Sequence, residues 1–569
     1  MALLVFATAT AVTFGELWHR GPTTTVITRA VLVEDYGEGA TLWRGFATAD
    51  ATFEAWLVSR HARTLVTRPW ALFDTEHCAP TERSLTLGIP MITMGVLGIP
   101  AQLAFNEPIL TYNISILLLI LAAAFAAFAV VRDWTDEPAA GIVAGLLFGF
   151  AASRLGHIEH PSVLDIAWAG YALYFAHRLL AYGRWRDAVG LALAGVLQIW
   201  ASFYTLLAAV LVLPPVGIWL VRRFGLRHVR ISQLAFVASA TLGGALVLFP
   251  PYLAARDALG ILTRSDAEYQ FAAWSDFFPS GELYFGSMAC VLAAVALLVR
   301  SRTLFPGAMG NPRVALVMAV LLATAISTGP NLLHPVSDAP VRWGMAAPAS
   351  SINLYGLAAQ VIPGLDAIRG VIRLSTGAQL AISILAGIGA AGLLRLSGRY
   401  RGIVAIALIT LAFVDVTRPG DLPLPKSFSW DYADARASDS AIEFFETLAV
   451  QGDHGPLLEV PIAKKLGLLV VAPKRIMLSA HHHRRTSACF GSYLPASNVE
   501  LESLSLQLPD ADAAERLRDL GFATVILDRR AYWAAGFKSR QRQAVRDGNR
   551  PLPLIHANDD LAAYSLRVN

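Results

Sequence analysis

Apolar runs long enough to cross a bilayer recur along most of this chain, and nothing else in it constrains the fold as strongly. A transmembrane helix needs about 20 mainly apolar residues. Candidate spans are Ile109–Val131, Ala139–Ala151, Val163–Leu180, Ala188–Ala201, Thr205–Val221, Gln233–Ala254, Tyr284–Val299, Val314–Thr328, Thr376–Leu394 and Ile403–Val416. Residues 2–14 are apolar but short. They read as the remains of a first span clipped by a wrong start codon, since the basic leader and small-residue cleavage site of a signal peptide are missing. Leu87–Phe105 is broken by Pro90 and Pro100 and is expected to dip in and return. With 55% hydrophobic and 15% charged residues and a mean hydropathy of +0.51, the composition is that of a multi-spanning protein. A formal net charge of +4 and the lack of a long basic run argue against a nucleic-acid partner.

The connections alternate in charge. One set is short and basic: Arg132; Arg184 and Arg186; Arg222, Arg223, Arg227 and Arg230; Arg300, Arg302 and Arg313; Arg395, Arg399 and Arg401. Cationic short loops stay in the cytoplasm. The other set is longer and mixed or acidic, as in 255–283 with Asp257, Asp266, Glu268, Asp276 and Glu282. The alternation closes with eleven spans, the N-terminus inside and the tail outside. Residues 1–418 then form the membrane domain, with a first outer loop at 15–108, and 419–569 a soluble domain on the outer face. A linker with Pro419, Pro423 and Pro425 leads into it, and helix (Ala441–Ala449), strand (LLEVPI), helix (DAAERLRD) and strand (Ala523–Leu527) predict a small α/β unit.

Polar residues concentrate in one stretch, Gly37–Leu87, which holds Asp50, Glu54, Asp74, Glu76 and Glu82 among Arg, His and Trp. A carboxylate near a bilayer needs work or a partner. The interleaving predicts amphipathic helices lying in the interface with their aromatic faces in the headgroup region. Asp50 is suited to orient or deprotonate an acceptor hydroxyl, or alternatively to cap a helix N-terminus. His157, Glu159 and His160 share a short loop after a Gly-rich span. They suit hydrogen bonding to phosphate or sugar better than metal binding, which lacks a third placed ligand. Arg369 and Arg373, four apart, would project together from a helix and hold phosphate through their planar forks, or snorkel to headgroups. The run His481, His482, His483, Arg484, Arg485 reads as a solvated basic turn, because adjacent side chains do not converge on one ion. Cys78, Cys290 and Cys489 show no metal spacing. Cys78 and Cys489 are not expected to pair unless both face an oxidising compartment and approach closely.

Five segments together resemble the type-C glycosyltransferase superfamily, multi-spanning enzymes that use polyprenyl-phosphate sugars. They are Asp50 followed by Trp56; FDTEHCAPTERSL; ASRLGHIEHPSVL; LQIWASFY before a span; and LYGLAAQVIPGLDAIRGVIRLS before ILAGIGAAGLL. The chain looks most like a bacterial branch with a soluble C-terminal domain. The resemblance implies that Asp50 is the catalytic base or acceptor-orienting residue. It implies that Arg369 and Arg373, with Arg154 and His157, hold the lipid phosphate, and that His160, Glu54 and Tyr204 belong to the substrate site. Asp74 or Glu76 would be the second acid, and the loose match there leaves a divalent cation open, with no other cofactor expected.

The expected activity is hexosyl transfer from a polyprenyl-phosphate donor to a glycan, lipid or protein acceptor at the outer face of a bacterial inner membrane. A transporter, or a scaffold that displays the tail, are the other classes. No internal repeat of the transporter kind is visible, and the acids gather at one surface.

Overall fold

The computed structural model describes residues 1–29, 38–259, 269–279, 281–299, 310–333, 343–344, 354–417, 429–450, 455–462, 471–530, 533–547 and 550–567. The Pro-rich linker, Asp266, Glu268, Arg300 and Arg302 lie outside these residues.

The first helix, α1 (Ala2–Arg20), runs six residues beyond the apolar run at 2–14. Glu16 and Arg20, one turn apart and 2.5 Å from each other, carry it on, and Gly21 stops it at a φ of 107°. Strand β1 (Thr24–Arg29) follows. The polar stretch forms a single 30-residue helix, α2 (Glu38–Thr67), rather than several interfacial ones. Its middle is buried from Ala51 to Ala62, so it belongs to the core and not to the headgroup region. Next comes α3 (Ile92–Phe105), 14 residues with Pro100 inside, shorter than a span as expected. Helix α4 (Pro108–Thr135) opens on a Glu107 cap and Pro108, ends at Asp136 in the left-handed region, and turns directly into α5 (Pro138–Gly149).

Seven further helices complete the bundle: α6 (Ala167–Tyr182), α7 (Trp185–Ala201), α8 (Phe203–Phe224), α9 (Ile231–Leu259), α10 (Ser287–Leu298), α11 (Arg313–Thr328) and α12 (Ser375–Leu396). Helix α13 (Arg401–Thr417) lies at its edge, with only Leu408 and Ala412 buried. Among the described residues eight helices are long and apolar enough to cross a membrane: α1, α4, α5 with its following turn, α8, α9, α11, α12 and α13. The stretches expected as the other three spans fold as the shorter helices α6, α7 and α10, of 16, 17 and 12 residues.

Packing centres on α12, which is buried along nearly its whole length. Its glycines let neighbouring backbones approach: a Cβ on Gly389 would run into the Leu292 carbonyl of α10, and one on Gly377 would come 3.0 Å from the Ala208 carbonyl of α8. Ion pairs on buried or half-buried acids tie the helix ends at one end of the bundle. Glu137 meets Arg395 at 3.3 Å and Arg401 at 2.5 Å, and Arg178 bridges Asp133 and Asp187 at 3.0 Å each.

The C-terminal part sits at the opposite end. Strand β2 (Ser429–Asp434) pairs antiparallel with β1, Thr24 against Asp434 through Arg29 against Ser429. A four-stranded mixed sheet follows, made of β3 (Leu457–Val460), β4 (Thr524–Asp528), β5 (Leu554–Ala557) and β6 (Leu561–Ser565) in the order β3-β4-β6-β5, with β3 and β4 parallel. Helices α14 (Asp439–Val450), α15 (Ala472–His482), α16 (Ser497–Gln507), α17 (Ala511–Asp519) and α18 (Trp533–Arg546) accompany it.

Two expectations are corrected here. Cys78 and Cys489 are joined in a disulfide, because Cys78 donates its N–H to Ala488 and so lies along the 486–489 strand-like segment. Cys290 is free. The His481–Arg485 turn is packed rather than solvated. Arg484 is buried and donates to the Gly455 carbonyl, while the His482 ring stacks 4.5 Å from Phe445.

The α12 packing gives a direct test. Gly389→Ala should destabilise the protein by about 1–3 kcal/mol, read as a lower unfolding midpoint in detergent. Gly217→Ala, where no atom stands within 4 Å, should leave the midpoint unchanged or slightly raise it.

Candidate functional site

Helix α2 carries the site, and three sets of contacts fix it. Gly95 lets α3 press against it, close under His61, while Gly98 lets α3 approach Ser115 and Thr111 of α4 with Val58 in ordinary contact. Ser59 donates to Gln102 at 2.7 Å. On the C-terminal side Trp56 is fully buried and donates through Nε1 to Ser479 Oγ of α15 at 2.8 Å. Further along, Arg60 gathers the carbonyls of Ala71, Leu72 and Asp74 at 2.6–2.8 Å and the Glu76 carboxylate at 3.1 Å. That last contact wraps the FDTEHC segment around the helix.

Asp50 therefore stands in mid-helix and caps nothing. One turn on, Glu54 shares its face. The loop after α5 brings His160 opposite both, its Nε2 3.7 Å from Asp50 Oδ2 and its Nδ1 4.0 Å from Glu54 Oε1. His157 reaches Glu282 at 3.2 Å. Arg373 and Arg369 supply the positive field at Asp50, and Glu159 adds a further negative one. Arg373 itself lies over the Tyr204 ring, 4.9 Å from its centre. Asp50, Glu54, His160, Arg369, Arg373 and Tyr204 thus come together from four distant parts of the chain.

Electrostatics separates the roles of these groups. Burial pushes the Asp50 carboxyl up to about 7, against the pull of Arg373 and Arg369. Glu54 is lifted well above the ordinary glutamate range, first by burial and then by Asp50 beside it. Its buried Oε2 has no hydrogen-bond partner among the described residues. Burial and Arg373 hold His160 well below the usual histidine range, so its ring is neutral. The cleft accordingly holds a neutral carboxyl as donor, a carboxyl that changes charge near neutrality, and guanidinium groups facing it. About a third of the Asp50 side chain, 31%, remains open to a ligand.

Other candidates go elsewhere. Arg154 is 1% exposed and donates to the carbonyls of Phe148, Gly149 and Leu164, so it shapes the loop rather than binding phosphate. Glu76 is committed to Arg60 and Arg63, and Asp74 is exposed. Ten residues of helix, roughly 15 Å, separate Arg60 from Asp50, which keeps both acids from serving as a second acid beside it. Arg369 and Arg373 do not share a helix. Gly370 breaks the chain between them, Arg373 sits in the single turn Val371–Leu374, and the Arg369 carbonyl accepts from Gln270. Among the described residues no group of three His, Cys, Asp or Glu side chains is placed to hold a metal ion.

Sequence reading missed Asp165, Tyr112 and Glu282 as neighbours of the site. Asp165 is fully buried and accepts from Thr93 and, at 2.7 Å, from Trp168 Nε1, which anchors the His157–His160 loop. Tyr112 is buried near Glu54, with its hydroxyl unpaired among the described residues. A tyrosine beside Asn113 in an otherwise apolar run was the available signal.

Solved structures similar to the chain include three transferases. The cryo-EM structure of the arabinofuranosyltransferase AftD from Mycobacteria aligns with 100% of this chain and 40% of its own, at 13% identity and a TM-score of 0.46. This chain thus spans well under half the length of AftD. The crystal structure of ArnT from Cupriavidus metallidurans bound to undecaprenyl phosphate aligns over 95% of this chain and 99% of its own, at 11% identity and a TM-score of 0.46. The archaeal oligosaccharyltransferase AglB from Archaeoglobus fulgidus, solved with an inhibitory peptide and a dolichol-phosphate, aligns over 89% and 71%, at 11% and 0.43. No protein-family model matches the chain, and no curated protein does.

The raised Asp50 carboxyl has a consequence for stability. Between about 4, where the unfolded group titrates, and about 7, where the folded one does, the folded state binds the extra proton. Stability is therefore lost as pH rises through that window. Asp50→Asn removes the buried charge, so it should unfold at a higher temperature than the unaltered protein at pH above about 7, by on the order of 2–4 kcal/mol. The difference should vanish near pH 4. A melting curve lowered by the substitution at high pH would contradict the burial argument.

Proposed function

We propose that the chain is a membrane glycosyltransferase that moves a sugar, a hexose in the simplest case, from a polyprenyl-phosphate donor to an acceptor hydroxyl on the extracytoplasmic face. The observation that carries this reading is the meeting of Asp50 with Arg369 and Arg373 around one cleft. Asp50 in its ionised form takes the proton of the acceptor hydroxyl as that oxygen bonds to the anomeric carbon. The bond from that carbon to the phosphate oxygen breaks, and the departing lipid phosphate gains charge next to Arg373 and Arg369. Tyr204 keeps the Arg373 guanidinium facing the cleft through its ring. Neutral Glu54 is a donor for a sugar hydroxyl or a phosphate oxygen. The acceptor is a glycan, a lipid or a protein hydroxyl.

Two observations support the side of the membrane. A disulfide persists in an oxidising compartment, and Cys78–Cys489 joins the segment after α2 to the C-terminal part. The short basic connections, including those of Arg395 and Arg401, lie at the other end of the helices, where the positive-inside rule expects the cytoplasm. The N-terminus is then cytoplasmic and residues 419–569 are extracytoplasmic, as in a bacterial inner-membrane protein.

The test is transfer from a labelled polyprenyl-phosphate sugar in proteoliposomes. Asp50→Asn should lower the rate about 100-fold or more, and full activity in that variant would remove the base from the mechanism. Arg373→Ala should lower kcat roughly 100- to 1,000-fold, with Arg373→Lys recovering part of it. Location has its own readout. Protein denatured without reductant, taken straight from membranes, should react with maleimide at one cysteine, Cys290, and at all three after reduction. Three reactive thiols before reduction would put Cys78 and Cys489 on the reducing side.

A further inference from the structure

We propose that a second site, in the C-terminal part, binds a single sugar residue through two neighbouring hydroxyls. A cavity of about 280 Å3 lies at the carboxyl ends of the parallel strands β3 and β4, the position where open α/β sheets bind ligands. Glu459 near the end of β3 and Asp528 at the end of β4 face it, and Arg475 of α15 stands between them.

The spacing of these three groups indicates the ligand. Arg475 Nε is 3.9 Å from Glu459 Oε2, and its Nη2 is 3.6 Å from Asp528 Oδ2. Both separations exceed a hydrogen bond. The guanidinium is held at that distance from behind, where Nη1 donates to the Pro461 carbonyl at 2.6 Å. Thr486 donates to the other oxygen of Glu459 and fixes the carboxylate. Polar groups facing each other across such gaps accommodate a bridging oxygen. A hydroxyl both accepts from a guanidinium and donates to a carboxylate, and hydroxyls on adjacent carbons fill both gaps at once.

The rest of the lining agrees with this. Phe445, Leu478, Ile526 and Leu561 form an apolar wall for the C–H face of a sugar ring. An anion is less well matched. Glu459 and Asp528 are balanced by Arg475 and Lys474, and the remaining cation, Arg436, is already paired with Asp439 at 2.8 Å. The volume lies just below the range of roughly 300–1,000 Å3 that takes drug-sized ligands, which suits one ring and not a chain. Helix α15 turns Lys474, Arg475 and Leu478 to this cavity and Ser479 to Trp56 of α2. The second site is thus one helix away from the transfer cleft and stands whether or not transfer occurs there.

Saturation-transfer NMR on the full-length protein in nanodiscs tests this, with the methyl glycosides of glucose, galactose, mannose and arabinose as probes. At least one should show saturated ring protons. Asp528→Asn and Arg475→Met should each weaken its binding roughly tenfold or more, with the unfolding midpoint of Asp528→Asn matching the unaltered protein. Asp50→Asn should leave the signal in place. The proposal is overturned if none of the four sugars binds, if Asp528→Asn binds as well as the unaltered chain, or if the signal depends on Asp50 instead. Inorganic phosphate binding in place of every sugar would also overturn it, in favour of an anion site.

Discussion

Close backbone contact along α12 is the constraint on which the rest of the structure depends. Gly377, Gly387 and Gly389 present no side chain to α8, to Val131 of α4 and Ala144 of α5, or to α10, so those helices meet α12 with little between them. In a bilayer, apolar side chains gain little by leaving lipid, and association rests on van der Waals fit of this kind. The residue two places before α12 is Arg373, and the helix α8 that Gly377 admits begins one residue before Tyr204. The fit of small residues in the bundle therefore positions a guanidinium over an aromatic ring at its rim.

Against that frame of tight apolar contact, α2 carries the unfavourable terms. Asp50 and Glu54 are brought out of water one turn apart on the same helix face, and burial opposes ionisation of both. Arg373 and Arg369 offset only part of that cost. The helix is retained by contacts on its other faces: Gly95 of α3, Trp56 on α15, and Arg60 closed in by the carbonyls of 71–74. Sites that perform chemistry commonly store such unfavourable electrostatics in an otherwise well-packed scaffold. Three arginines show the contrast. Arg154 and Arg60 are buried in carbonyl cages and build shape, whereas Arg373 is left partly open and faces the acids.

How much of this was legible in the sequence depended on the range of the interaction. Apolar runs and loop charge gave the helices and their grouping by end, because both are local signals read by period and composition. The meeting of Asp50 with Arg369 and Arg373 followed from that grouping. Failures came where partners are remote in sequence. Nothing near Arg154 distinguishes a carbonyl-caged arginine from a phosphate ligand, and Glu76 pairs with residues of a helix whose depth the polar composition concealed. The Gly37–Leu87 stretch reads as interfacial because its acids and arginines neutralise one another only in three dimensions. Cys78 and Cys489, 411 residues apart, gave no spacing signal for the same reason.

Strands β1 and β2 lie far apart in the chain, yet among the described residues each is the other's only partner in a two-stranded sheet. A ribosome delivers β1 ahead of α2, and β2 only after all the bundle helices have emerged. During most of synthesis the first strand exposes unpaired N–H and C=O groups, and α2 lacks the elements that bury Trp56. The acidic helix therefore gains its α15 contact only after the groups it faces have been made. A chain interrupted between Arg373 and β2 would carry every acid and arginine of the cleft without the partner strand of β1 and the α15 contact that buries Trp56.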